Sequence, residues 1–176
     1  MKNFKLAAVA SIVIASTSGV ALAATQGNLD TTSEGTSDVT IIKQNAVQLT
    51  KVDDLDFGNV GFMASDTTLS DDVCVFSSTT DYNVTMSSGQ GPGAFAVADG
   101  GNSIPYTVSW TDGTTTATDP VVSGTQIADD FTGDDADPDC GGGTNASFSV
   151  TIGAAGFNAA PTGSYSDTLT LLVEPL

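Results

Sequence analysis

The stretch that most limits what this chain can fold into is Tyr165-Ser166-Asp167-Thr168-Leu169-Thr170-Leu171-Leu172-Val173-Glu174, close to the C-terminal end. Tyr165, Leu169, Leu171 and Val173 share one parity, and Ser166, Thr168, Thr170 and Glu174 share the other. Successive side chains of an extended strand point to opposite faces, so this pattern predicts a strand with one buried face. It is the last periodic segment of the sequence, so no later strand is expected to pair its outer side. An open strand edge is a template for another strand. The covering strand is therefore expected from earlier in this chain or from another molecule.

The same period of two recurs along most of the chain. Val39 and Ile41 alternate with Asp38 and Thr40, predicting a short strand behind a polar leader, and a second short strand is predicted over residues 46–52. Residues 53–58 turn the chain with Leu55 and Phe57 facing inward, and a loop is predicted over residues 64–72. Val73-Cys74-Val75-Phe76 is apolar on both faces, as an interior strand requires. Strands follow at Tyr82, Val84 and Met86, and at Phe95 and Val97; Asp99-Gly100-Gly101-Asn102 has the composition of a hairpin turn. Ile104, Tyr106, Val108 and Trp110 make the most regular apolar face of the sequence. Weak strands are predicted near Val121-Val122 and around Ile127, a penultimate strand at Phe148, Val150 and Ile152, and a turn over residues 159–163. No stretch after the N-terminal apolar run has helical spacing. Many short strands between Gly, Asp, Asn and Pro turns predict an all-β sandwich.

The chain opens with Lys2 and Lys5, an apolar run from Leu6 to Ala15, and an Ala21-Leu22-Ala23 site, which together read as a secretory signal peptide over residues 1–23. Export is expected, with no membrane insertion of the mature chain. Of the 4 basic residues, all lysines, two leave with the signal, and all 21 acidic residues stay, so the mature charge is 2 − 21 = −19. Such a surface repels nucleic acid and anionic lipid, and neither is an expected partner. Two cysteines in an exported chain predict one disulfide, Cys74 to Cys140.

The residue inventory bears on catalysis. The chain has no histidine, and all its basic residues are lysines. Ser–His and Cys–His nucleophiles and a bidentate arginine clamp are thereby excluded. No carboxylate pair stands beside an aromatic platform, and Trp110 falls in phase with a core face, so no enzymatic activity and no cofactor are expected. Asp135, Asp137 and Asp139 have the spacing that opens a calcium loop, but Cys140 stands where that loop needs glycine and Ala146 where it needs its closing glutamate. A solvated acidic loop is the expectation. Asn83-Val84-Thr85 and Asn145-Ala146-Ser147 match the glycosylation triplet, and no role is assigned to them.

A signal peptide, a polar leader, Gly35-Thr36-Ser37-Asp38-Val39-Thr40-Ile41, Leu55-Asp56-Phe57-Gly58 and the closing Gly163-Ser164-Tyr165-Ser166-Asp167-Thr168-Leu169 together resemble the spore coat protein U family, which includes the subunits of archaic chaperone–usher pili. The resemblance implies an immunoglobulin-like sandwich over residues 45–176 that lacks its last strand and is completed by donor-strand complementation. Residues 24–44 would be an N-terminal extension whose Val39 and Ile41 insert beside the acceptor edge Tyr165, Leu169, Leu171 and Val173 of the next subunit. It further implies a structural subunit of a secreted surface pilus or coat, exported through the periplasm and serving attachment and biofilm formation. Its partners would be identical or related subunits, a periplasmic chaperone and an outer-membrane usher. A second expectation is a free-standing secreted binding module for carbohydrate or weakly held calcium, completed by its own N-terminal strand.

Overall fold

The computed structural model describes residues 24–113, 115–117 and 120–176. The signal peptide expected over residues 1–23 lies outside them. The chain divides into two compact units, Met1–Lys43 and Gln44–Leu176. In the described part of the first, Thr25 and Thr36 exchange both backbone hydrogen bonds at 3.1 Å, closing a small polar loop. Residues 37–43 join no ladder, so the strand expected at Val39 and Ile41 is not formed. An isolated short strand has no partner to satisfy its amides and does not persist alone.

The second unit holds ten strands among the described residues: β1 (Val47–Thr50), β2 (Thr67–Ser77), β3 (Asp81–Ser88), β4 (Phe95–Asp99), β5 (Asn102–Asp112), β6 (Thr115–Thr116), β7 (Thr125–Gln126), β8 (Phe131–Thr132), β9 (Ala146–Ile152) and β10 (Leu169–Pro175). One sheet runs β1-β2-β9-β5-β4, with β6 on β5; the other runs β10-β3-β7, with β8 on β3. All these ladders are antiparallel. The fold is an all-β sandwich.

Alternation explains why the core lies between the sheets. Ile104, Tyr106, Val108 and Trp110 of β5 and Phe148, Val150 and Ile152 of β9 are buried from one side, and Tyr82, Val84 and Met86 of β3 from the other. The centre is aromatic: the Tyr82, Trp110 and Phe131 rings lie 5.9–6.4 Å apart, and Trp110 Nε1 donates to the Tyr82 hydroxyl at 3.3 Å. That bond satisfies both buried polar tips. Trp110 is a core residue, as its phase predicts. The β4–β5 hairpin turns at Gly100 and Gly101, where Gly100 has φ +59°, a left-handed conformation that disfavours a side chain.

Four local expectations are corrected. The loop expected over residues 64–72 is largely strand, because Thr67 to Val73 pair in register with Ile152 to Ala146 of β9. Leu69 is its only large apolar residue, too little to make an alternation, so pairing rather than pattern decides the state. Val121-Val122 forms no strand; that region contributes only two-residue ladders. A short helix, α1 (Ala154–Ala159), forms just ahead of the turn expected over residues 159–163, although no helical spacing marks it. Asp66 Oδ1 accepts the Ala154 amide at 2.9 Å, and the Asn158 side chain bonds both backbone groups of Met63 at 3.0 and 2.8 Å. These long-range partners replace the capping signals that a sequence would display. Finally, the terminal strand starts at Leu169 rather than Tyr165.

Candidate strand-addition edge

β10 pairs with β3 from Leu169 opposite Ser88 to Pro175 opposite Tyr82. Among the described residues, no strand pairs its other side. Leu169, Leu171 and Val173 face the core yet are only half-buried, whereas Tyr82, Val84 and Met86 on β3 are fully buried. Across the sandwich, β1 is the end strand of the other sheet and touches β10. Its Val47 and Leu49 also pack on the core while remaining half-buried, as do Leu55 and Phe57 just beyond it. Both sheets therefore present an unpaired strand at the same side of the molecule, with incompletely covered apolar residues along it. A strand laid there would gain main-chain hydrogen bonds from an open edge and burial for alternate side chains.

Three of the four expected acceptor residues, Leu169, Leu171 and Val173, lie together on this edge. Tyr165 does not. Its hydroxyl donates to the Pro161 carbonyl at 2.9 Å, and the next residue, Ser166, pairs through both backbone groups with Ala98 of β4, at 2.9 and 3.1 Å. The terminal segment thus touches the β4 edge of one sheet before joining the other. At the crossing, Asp167 Oδ2 accepts the hydroxyls of Tyr106 and Ser88, each at 2.6 Å. Burial, and then this carboxylate, push the Tyr106 hydroxyl far above the usual tyrosine range. Sequence reading missed Asp167, Tyr106 and Ser88 as a group. The available signal was an acidic residue on the apolar parity between Tyr165 and Leu169.

The two residues expected to act as donors are nearly bare. Val39 is 93 % exposed and Ile41 91 %, with Ile42 close behind at 81 %. Exposed β-branched residues alternating with polar ones have the form of an unpaired strand awaiting a ladder.

Cys74 and Cys140 form a disulfide, with Cα atoms 6.0 Å apart. It fastens the acidic loop to β2, where the Asp134 backbone also bonds Val75 and Ser77 at 2.9 and 2.8 Å. Lys51 Nζ secures the loop's far end at the Gly143 carbonyl, 2.6 Å away. The loop's carboxylates serve its own backbone: Asp134 Oδ1 accepts the amides of Ala136 and Asp137 at 2.8 Å, and Asp137 Oδ1 accepts that of Asp139 at 2.9 Å. The first pair holds the Asp134 carboxyl below the usual range. Among the described residues, no three acidic, cysteine or histidine side chains are grouped to hold a metal, Asp135, Asp137 and Asp139 included.

Asn145, the first residue of one glycosylation triplet, is committed elsewhere: its amide bonds both the N–H and the carbonyl of Val75 at 2.8 Å. No helix among the described residues is long and apolar enough to cross a membrane. Compared with known proteins, the chain matches no family model, no curated protein and no solved structure.

Proposed function

We propose that this chain is a structural subunit of a secreted surface filament or coat, assembled by adding the N-terminal segment of one copy to the β10 edge of the next. The observation that carries this reading is the pairing of deficits within one sequence. The sandwich has an open edge whose inward Leu169, Leu171 and Val173 are half-covered, and the leader has an alternating apolar segment, Val39 and Ile41, with nothing to cover it. Each Val or Ile fully buried by such an exchange contributes about 1.5–3 kcal/mol. A contact between two different surfaces repeats without closing, and so generates a filament. The resemblance of the closing Gly163–Leu169 motif and the Leu55–Gly58 motif to the spore coat protein U family supports this reading. On that reading, export uses the signal peptide, and a periplasmic chaperone and an outer-membrane usher handle the subunit on its way to attachment and biofilm formation.

The test is the Val39→Asp, Ile41→Asp double variant of the exported chain. Wild-type protein is expected to run as an SDS-resistant ladder that collapses on boiling. The double variant is expected to run as a folded monomer that melts below the polymerised wild type, because its charges would have to be buried unpaired at the edge. A ladder in the double variant would sink the reading. A monomer in both would favour a module completed by its own N-terminal strand.

A further inference from the structure

We infer that Asp167 is the positioning residue of the acceptor edge: its carboxylate pins the start of β10 to both sheets and holds that edge in register for an incoming strand. This rests on the strand-addition reading. An edge strand is laddered on one side only, and strand ends are where local opening begins. Here the start of β10 is held by side chains as well as by the ladder. Tyr106 reaches Asp167 Oδ2 from β5 in one sheet and Ser88 reaches it from β3 in the other, both at 2.6 Å, the short distance of a charge-assisted bond. Both donors are themselves buried, Tyr106 at 7 % exposure and Ser88 at 7 %, so neither hydroxyl has water as a ready substitute.

The surroundings are shaped for this carboxylate. A Cβ on Gly89 would stand 3.1 Å from Asp167 Oδ1, so the glycine leaves the room the oxygen occupies. The Gly89 amide donates to the Thr168 carbonyl at 2.9 Å, and Ser166 is held on Ala98 just upstream. Asp167 Oδ1 itself is buried and takes no hydrogen bond. A buried unpaired oxygen is a cost that a core built only for stability would avoid. Asparagine would put a donor where no acceptor stands.

The test separates positioning from plain stability. In mature chain carrying the donor block Val39→Asp, Ile41→Asp, the pin is removed whole by Ser88→Ala, Tyr106→Phe and Asp167→Ala. Removing the three partners together leaves no orphaned hydroxyl, and the Gln90 amide that loses Ser88 Oγ belongs to an exposed residue, so global stability is expected to stay near that of the parent. Two quantities are read: hydrogen-exchange protection of the Leu169–Leu172 amides relative to those of β9, and the rate of capture of a synthetic peptide of residues 35–44. Both are expected to fall, each by about tenfold. Unchanged protection, or lost protection with unchanged capture, overturns the proposal while leaving strand addition standing. Failure of the parent to capture peptide at all sinks strand addition and the proposal with it. Should the triple variant not fold, Tyr106→Phe alone removes one of the two bonds, and about a threefold fall in both quantities is expected; no fall overturns the proposal.

Discussion

β9 and β10 are both seven-residue strands with period-two alternation, and they end in opposite conditions. β9 lies between β2 and β5, and its inward Ala146, Phe148, Val150 and Ile152 are all buried. β10 has the more apolar sequence, with three leucines and a valine, yet each inward residue stays half-exposed because only β3 flanks it. A strand's own pattern chooses which face turns inward, but its neighbours decide how completely that face is covered. The gap between the two strands measures what this sandwich lacks.

The sharpest way to break that comparison is one charge placed at the inward centre of each strand. Val150→Asp in β9 is expected to unfold the domain, costing more than about 4 kcal/mol, since the carboxylate would be enclosed without a partner. Leu171→Asp in β10 is expected to cost the isolated subunit about 1–2 kcal/mol, because its half-open site leaves the charge hydrated. It should nonetheless eliminate polymers. Urea titration of the two monomers checks the order, and equal losses would mean that the β10 edge is already complete.

Removing the disulfide comes next. Cys74 and Cys140 are separated by 66 residues, and closing a loop of that size is expected to contribute roughly 4 kcal/mol. The Cys74→Ser, Cys140→Ser variant should lose about that much. It should lose hydrogen-exchange protection first in the acidic loop beside β2, with a smaller loss in β10. Polymerisation should survive in cold buffer, since neither cysteine lies in the donor or on the edge. Equal loss of protection in β10 would show that the two sides of the sandwich are not independent.

Asn145→Ala tests how β9 is continued beyond its first residue. The side chain stands in for one more rung of ladder by bonding both backbone groups of Val75, so its loss is expected to cost about 1–3 kcal/mol and to leave the Val75 N–H unpaired, while the Val75 carbonyl keeps the Asp134 amide. Asn83→Ala, in the other glycosylation triplet, should cost less in the same thermal melt.

Much of this contrast was legible in the residues. The Ile104–Trp110 face, Tyr82–Met86 and Phe148–Ile152 were readable because burial from one side forces alternation. The cysteine pair followed from the small number of options. What escaped was held by distant partners. Thr67–Asp72 looks like a loop because its strand state comes from β9, and α1 has its cap on Asp66 and its clamp on Met63, each far away in sequence. Parity groups Tyr165 with β10 and cannot reveal that Asp167 lies where the chain crosses between sheets. The alternation at Val39 and Ile41 has the pattern of a strand, but a pattern without a partner leaves the backbone unladdered.

The smallest expected effect uses alkaline pH to compare the centre of the core with the start of β10. Burial is the largest cause pushing both Tyr82 and Tyr106 far above the ordinary tyrosine range; the Asp167 carboxylate adds to it at Tyr106, and the Trp110 N–H opposes it at Tyr82. In the unfolded chain tyrosine ionises near pH 10. Between there and the raised folded values, the folded chain keeps protons that the unfolded chain has released. Stability is therefore fully present below about pH 10 and falls as the pH rises, by up to about 1.4 kcal/mol per tyrosine per pH unit. Tyr106→Phe should remove about half of that slope. Tyr82→Phe should remove a similar share, but at neutral pH it also takes the acceptor from the Trp110 N–H at the centre of the core. With Tyr106 intact, the alkaline loss should appear in the Leu169–Leu172 amides before it appears in those of β9, because local opening there frees the Tyr106 hydroxyl to ionise, and the ionised form cannot return to its bond with Asp167. Melting curves at about pH 9, 10 and 11 combined with hydrogen exchange give both readings. A melting temperature that stays flat across that range would show that neither hydroxyl is as enclosed as its surroundings imply.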